Sequence, residues 1–165
     1  MPDHSHFSEL LNTWAPPVSF FFMVVFQKMG EPVFKSSFYE VNGLSWSFDV
    51  TEKLGGEGKS QPLPDKMKFS RLVLKRPVGL LDDALTDWIE ECHDYLYYRG
   101  KDGLRIIRTY DVVVHLLDKV SIVRAAWQCK NAYVAKWTLS GFDAEKSGLA
   151  LETIELVYSR MDRVY

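Results

Sequence analysis

The chain has 165 residues, a length that predicts one domain. An apolar share of 47% with 25% charged residues predicts a packed core and excludes a disordered chain. A formal net charge of −2, with basic residues dispersed, argues against a protein that binds nucleic acid by neutralising phosphates.

Residues 1–17 read as an N-terminal arm, and residues 18–165 as the folded domain. Phe7, Leu10, Leu11 and Trp14 are the arm's apolar anchors; such an arm is either disordered or docked on a partner, and Leu10, Leu11 and Trp14 favour docking. Pro16-Pro17 closes the arm, because proline cannot join a central ladder. Met1 to Trp14 carries acids and histidines and no apolar core, so no secretory signal is expected there. Val18 to Phe26 is the strongest apolar run, far short of the roughly 20 residues of a spanning helix. It predicts a strand buried on both faces or covered by a neighbouring subunit, and no membrane anchor.

Leu44, Trp46, Phe48 and Val50 alternate with Ser45, Ser47, Asp49 and Thr51, which predicts a strand with one buried face. Glu52 to Asp65 holds Gly55, Gly56, Gly58, Pro62 and Pro64 and reads as a long polar loop, too long for a tight hairpin. Such loops often contact a partner. Its candidate contact residues are Glu52, Lys53, Gly55, Gly56, Glu57, Gly58, Lys59 and Ser60. Met67 and Phe69 then change phase to Leu72 and Leu74, which predicts a bulge there.

One helix is predicted. Leu81, Ala84, Leu85, Trp88, Ile89, Cys92, Tyr95 and Leu96 recur at helical spacing. Asp82 or Asp83 is its cap and Gly100 its stop. Trp88 and its neighbours are read as packing on the sheet. Asp87, Glu90, Glu91 and Asp94 form an acidic face, solvated or turned to a neighbouring subunit. Residues 104–117 follow as a strand, with Leu104, Ile106, Tyr110, Val112, Val114 and Leu116 on one face. Val123, Ala125, Trp127 and Cys129 mark another. In the last strand, Leu149 and Leu151 slip to Ile154, Leu156 and Tyr158, which predicts a bulge near Glu152-Thr153. The fold class expected is mainly β with one helix and one long loop. An antiparallel β-sandwich or partly open β-barrel fits, with the helix across one opening or edge.

The signals for chemistry are weak. Gly58-Lys59-Ser60 looks like the end of a phosphate-binding loop, but Lys53 stands where that loop needs glycine, and Gln61-Pro62-Leu63-Pro64 cannot start the following helix. His4 and His6 lie on a short arm, and His93 is adjacent to Cys92, where helical side chains diverge. His115 sits opposite Val114 and Leu116 and reads as a surface or interface histidine. Cys92 and Cys129 form no metal or redox motif and read as buried free thiols of a reducing compartment. No catalytic residue, metal or cofactor is expected.

Several phrases together carry a resemblance. Val41-Asn42-Gly43-Leu44 is similar to a "V-S-G-L" turn, with Asn42 for Ser. Leu74-Lys75-Arg76 is similar to "L-K-R-G", with Pro77 for Gly, and Asp87-Trp88 to a tryptophan region of the family helix. Asn131 to Trp137 is similar to "N-A-W-P-x-K-W", with Tyr133 for Trp and Val134 for Pro. Leu151 to Leu156 is similar to "I-E-T-L-E-L". In this order, over residues from about 18 to 161, they resemble the phage tail-tube protein family, the inner-tube subunits of contractile phage tails, pyocins and extracellular injection systems. A fold-level similarity extends to the type VI secretion tube protein.

The resemblance implies a non-enzymatic structural subunit, assembled into stacked hexameric rings with a hollow lumen for DNA or effector passage. The sheets of neighbouring subunits would form a ring-wide inner β-barrel. The 52–65 loop would reach a neighbouring ring or subunit, and the acidic helix face would lie toward the sheath. Partners implied are further copies of the chain, a sheath protein, a baseplate hub or spike, and cargo in the lumen, with no specific nucleic-acid binding. The location implied is the bacterial cytoplasm during assembly, then a virion tail or released particle. The arm, Phe20-Phe21-Phe22 and Pro77 depart from the family pattern, which leaves a specialised initiator subunit at the baseplate open. The rival from another class is a small-ligand-binding β-barrel or an enzyme.

Overall fold

In this computed structural model the described residues are 21–56, 58–78, 83–97, 103–140 and 150–165. Leu10, Leu11, Trp14, Glu57, Leu81, Asp82, Gly100 and Leu149 lie outside them. The strands are β1 Phe21–Lys28, β2 Glu31–Phe38, β3 Glu40–Asn42, β4 Trp46–Leu54 and β5 Ser60–Phe69. They continue as β6 Leu72–Pro77, β7 Tyr110–Leu117, β8 Val123–Leu139, β9 Leu151–Val157 and β10 Arg160–Arg163. The helix α1 spans Ala84–Asp94.

Every pairing is antiparallel, both between strands joined by short turns and between strands far apart in sequence, such as β1 with β7 and β6 with β9. The main sheet runs β2-β1-β7-β8-β9-β6-β3, with β10 on β8, while β4 and β5 form a separate ribbon. The long β8 joins the two halves of the sheet. Its first half pairs β7 and β10, and its second half pairs β9. It bends at Asn131, whose φ of 53° suits an Asn, and whose N–H donates to Asp111 Oδ1 at 3.0 Å. The sheet curls until Tyr39 N–H donates to Lys75 O at 3.2 Å and Arg76 Nη1 to Ser36 Oγ at 2.8 Å. No ladder joins β2 to β6, so the barrel stays partly open.

The inward line of each strand fills this curl. Val24, Phe26, Leu72, Leu74, Val112, Val114, Cys129, Ile154 and Leu156 are fully buried. Fully burying such side chains stabilises by about 1.5–3 kcal/mol each, against the entropy of ordering them. The helix covers the core with Leu85 and Trp88. Trp88 meets Tyr110 edge-on at 5.2 Å and Phe26 at 5.4 Å, and its Nε1 donates to Arg108 O at 2.8 Å. Asp83 is the cap, accepting from Leu85 N at 3.2 Å. The prediction that Trp88 packs the helix on the sheet holds.

Four expectations are corrected. Residues 104–109 are not strand: β1 stops pairing at Gln27 opposite Asp111, and no described strand pairs with them. Leu104 and Ile106 are exposed. β9 carries no bulge, since its register with β6 is unbroken from Leu151 to Leu156. The apparent slip arises because Glu152 itself points inward, in line with Ile154 and Leu156. The phase change from Phe69 to Leu72 is the break between β5 and β6. Finally, the predicted 52–65 loop is mostly strand, as described below.

Cys129 is buried and Cys92 half-buried, both free. Burial pushes the Cys129 thiol up to about 12. Near pH 8 it holds almost no thiolate, the reactive form. Iodoacetamide is therefore expected to leave Cys129 unmodified in the folded protein and to modify it in denaturant, as read by peptide mass spectrometry. Rapid labelling in the native state would contradict this packing.

Candidate assembly surfaces

The first surface is the β4–β5 ribbon. Its register runs from Trp46 opposite Phe69 to Leu54 opposite Ser60, so Glu52, Lys53 and Ser60 lie in strands. The turn of the ribbon lies between Leu54 and Ser60. Gly55 N–H donates to Lys59 O at 2.9 Å, and Gly58 holds a φ of +72° that favours glycine. The reading as a long loop failed at Pro62 and Pro64. Proline weakens a central strand, but each ribbon strand has a partner on one side only.

Paired residues share a face, and the irregularity between Phe48 and Val50 keeps one face mostly apolar along the ribbon. That face gathers Trp46, Phe48, Val50, Leu54, Pro62, Pro64, Met67 and Phe69, with Glu52 and Ser60 toward its tip. Trp46 and Phe48 touch edge-on at 5.3 Å. The alternation predicted burial, yet Trp46 is 55% exposed and Val50 62%. Nothing among the described residues covers them. A lone two-stranded ribbon is marginal in water, and a contiguous apolar face marks an interaction site.

The second surface is the acidic helix face. Asp87, Glu90 and Glu91 are exposed and Asp94 is half-buried. Glu91 accepts from Arg108 at 2.9 Å and Asp94 faces His93 at 2.9 Å, so part of the charge is already paired. Between α1 and β8 lies a groove of about 460 Å³, lined by Ile89, Cys92, Val134, Trp137 and Glu152 among others. Glu152 offers no free acid there. Its Oε1 accepts from Arg76 Nε, and its Oε2 accepts from Trp137 Nε1 at 2.9 Å. Arg76 also pairs with Asp83, the helix cap. This buried network joins β2, β6, β8, β9 and α1. Sequence reading missed it. The signal was present: Arg76 extends the Leu72-Leu74 line on β6, directly opposite Glu152.

The outward face of β3, β6, β9 and the second half of β8 is polar and charge-balanced. Lys75 pairs Glu40 at 2.7 Å, and Glu155 takes Arg71 at 3.0 Å and Lys136 at 3.3 Å. The Lys75 hydrogen bond lowers the Glu40 pKa, and the Arg71 hydrogen bond lowers that of Glu155. Such exposed pairs contribute little stability, and the balance leaves no phosphate-binding stripe.

Among the described residues, no group of three or more His, Cys, Asp or Glu is placed to hold a metal. None of the described helices is long and apolar enough to cross a membrane. His115 is half-buried, and its Nδ1 has no hydrogen-bond partner among the described residues. Leu10, Leu11, Trp14 and Glu57 lie outside the described residues, so the arm and that tip position are not placed.

The fold is similar to that of solved contractile-particle components. A chain from an extracellular contractile injection system, the PVC sheath–tube complex in its extended state, is 24% identical with a TM-score of 0.69, covering 95% of this chain and 97% of that one. A chain from the baseplate of the anti-feeding prophage is 24% identical with a TM-score of 0.67, covering 91% and 95%. One from the tube-terminating cap of that prophage is 23% identical with a TM-score of 0.66, covering 86% of each. Among curated proteins no match is found. The family model of the T4-like virus tail tube protein gp19 matches residues 18–162, nearly the whole folded domain, and the chain therefore belongs to that family.

Proposed function

We propose that this protein is a structural subunit of the inner tube of a contractile phage tail or tail-like injection system. Copies assemble into hexameric rings that stack around a hollow lumen. The observation that carries this reading is the uncovered apolar face of the β4–β5 ribbon, in a chain of the tail tube family. A face of that kind needs a neighbour, and repeated copies supply one. The ribbon replaces the predicted loop as the element reaching a neighbouring subunit or ring. The acidic side of α1, with Asp87, Glu90 and Glu91, is the surface offered to the sheath. The protein works by position and has no catalytic role.

Purified protein is expected to form rings or tubes in negative stain and to elute as a large species. Deleting Gly55 to Ser60 is expected to abolish stacking while circular dichroism stays that of the folded domain. Tubes that persist would remove the ribbon tip from the contact. A monomer at high concentration, stabilised by a small ligand, would favour the ligand-binding barrel.

A further inference from the structure

The two outer edges of the β4–β5 ribbon are not equivalent. A paired proline has no N–H to give its partner, so it occupies a non-hydrogen-bonded pair with its nitrogen turned outward. Pro64 pairs with Val50 and Pro62 with Glu52. Lying two residues apart, both turn the same way, and the outer edge of β5 lacks two successive donors. Pro32, opposite Gln27, blocks the outer edge of β2 by the same logic.

The register that turns those nitrogens outward does the same across the ribbon. The N–H groups of Val50 and Glu52 point away from β5, to an edge that no described strand pairs. β4 carries no proline from Trp46 to Leu54. Trp46, Phe48, Val50 and Leu54 along it are exposed. A long strand edge with no proline is a template for strand addition, and Asp49, Glu52 and Lys53 are the charges along this one.

We propose that the β4 edge takes a strand from a second copy of this chain, and that the proline-capped β5 edge does not. The inference rests on the tube-subunit reading and deepens it. When the strand that the second copy supplies is not its own β4, the two copies contribute different surfaces. That heterologous geometry builds rings, whereas β4 pairing with β4 about a two-fold would close a dimer and stop. The prolines then set the direction of assembly and leave the second edge inert.

Glu52→Pro tests this. It sits opposite Pro62, so the ribbon's own ladder keeps every bond while the outer edge loses a donor. The control is Glu52→Ala, which keeps the N–H. Sedimentation of assembled material is expected to fall at least tenfold for Glu52→Pro and to stay at the wild-type level for Glu52→Ala. Hydrogen exchange on wild-type protein decides the matter even if the proline variant misfolds. The Val50 and Glu52 amides are expected to exchange at least tenfold more slowly in assemblies than in free subunits. Equal assembly of the two variants, unprotected amides in the assembled state, or a closed two-fold dimer through β4 would each overturn the proposal. Wild-type protein that stays monomeric removes the tube reading as well. Assembly that survives Glu52→Pro removes this inference alone.

Discussion

Gly43→Ala is expected to leave little or no folded protein. Gly43 follows β3 with a φ of +85°, and a Cβ there would lie 1.8 Å from the backbone oxygen of Arg71. The left-handed conformation alone costs an alanine about 1–2 kcal/mol. The overlap is with main chain, so no rotamer change relieves it. Arg71 leads directly into Leu72 and Leu74, which are fully buried, so moving its carbonyl pulls β6 out of register with β9. The total is expected to exceed about 4 kcal/mol, a large part of the roughly 5–15 kcal/mol that holds a domain together. Soluble yield and the denaturant midpoint read this. Gly56→Ala is the control, because a Cβ there meets nothing within 4 Å and φ is not positive. It is expected to fall within about 0.5 kcal/mol of wild type. Similar midpoints for Gly43→Ala and Gly56→Ala would refute the argument.

The same glycine explains why its phrase stood out in the sequence. Val41 pairs Leu74 in the ladder and Gly43 lets β3 pass against the start of β6, so Val41-Asn42-Gly43-Leu44 is a packing constraint written as a motif. Alternation likewise made the strands legible, because inward positions such as Val112 and Val114 must be apolar whatever covers them. What period-two spacing does not encode is which chain does the covering. Trp46, Phe48 and Val50 obey the rule of a buried face and lie bare on this subunit. Pro62 and Pro64 read as loop because the rule against proline holds for strands paired on both sides. Glu152 read as a slip because a buried acid breaks an apolar line, and only its partner on another strand restores the sense of it. The 52–65 segment was thus given the wrong conformation, loop where the chain forms paired strands.

Arg76 and Glu152 give the second large effect, and it is expected to be unequal and non-additive. Arg76 is 6% exposed and Glu152 4%, and they face each other across β6 and β9. Removing one member of a buried pair strands the other, at about 3–5 kcal/mol. Arg76 serves two acids, Glu152 and the half-buried cap Asp83, and also donates to Ser36. Arg76→Met therefore strands Glu152 with only the Trp137 N–H and is expected to sit at the upper end of that range. Glu152→Leu leaves Arg76 with Asp83 and Ser36, so it is expected to cost less. In the double variant Arg76→Met/Glu152→Leu no unpaired charge stays on the two strands. Asp83 retains its bond to Leu85 N and some contact with water. The double variant is expected to lie at least about 2 kcal/mol closer to wild type than the sum of the single ones. Urea midpoints with equal slopes give all the values needed. Strict additivity would mean the two side chains act separately and would remove the network as a unit. The network also holds the first turn of α1 to the sheet. Loss of Arg76 is expected to speed exchange of the Leu85 to Trp88 amides before it speeds that of Val112 to Val114. A helix that frays no sooner than the sheet would mean that Leu85 and Trp88 alone hold it in place.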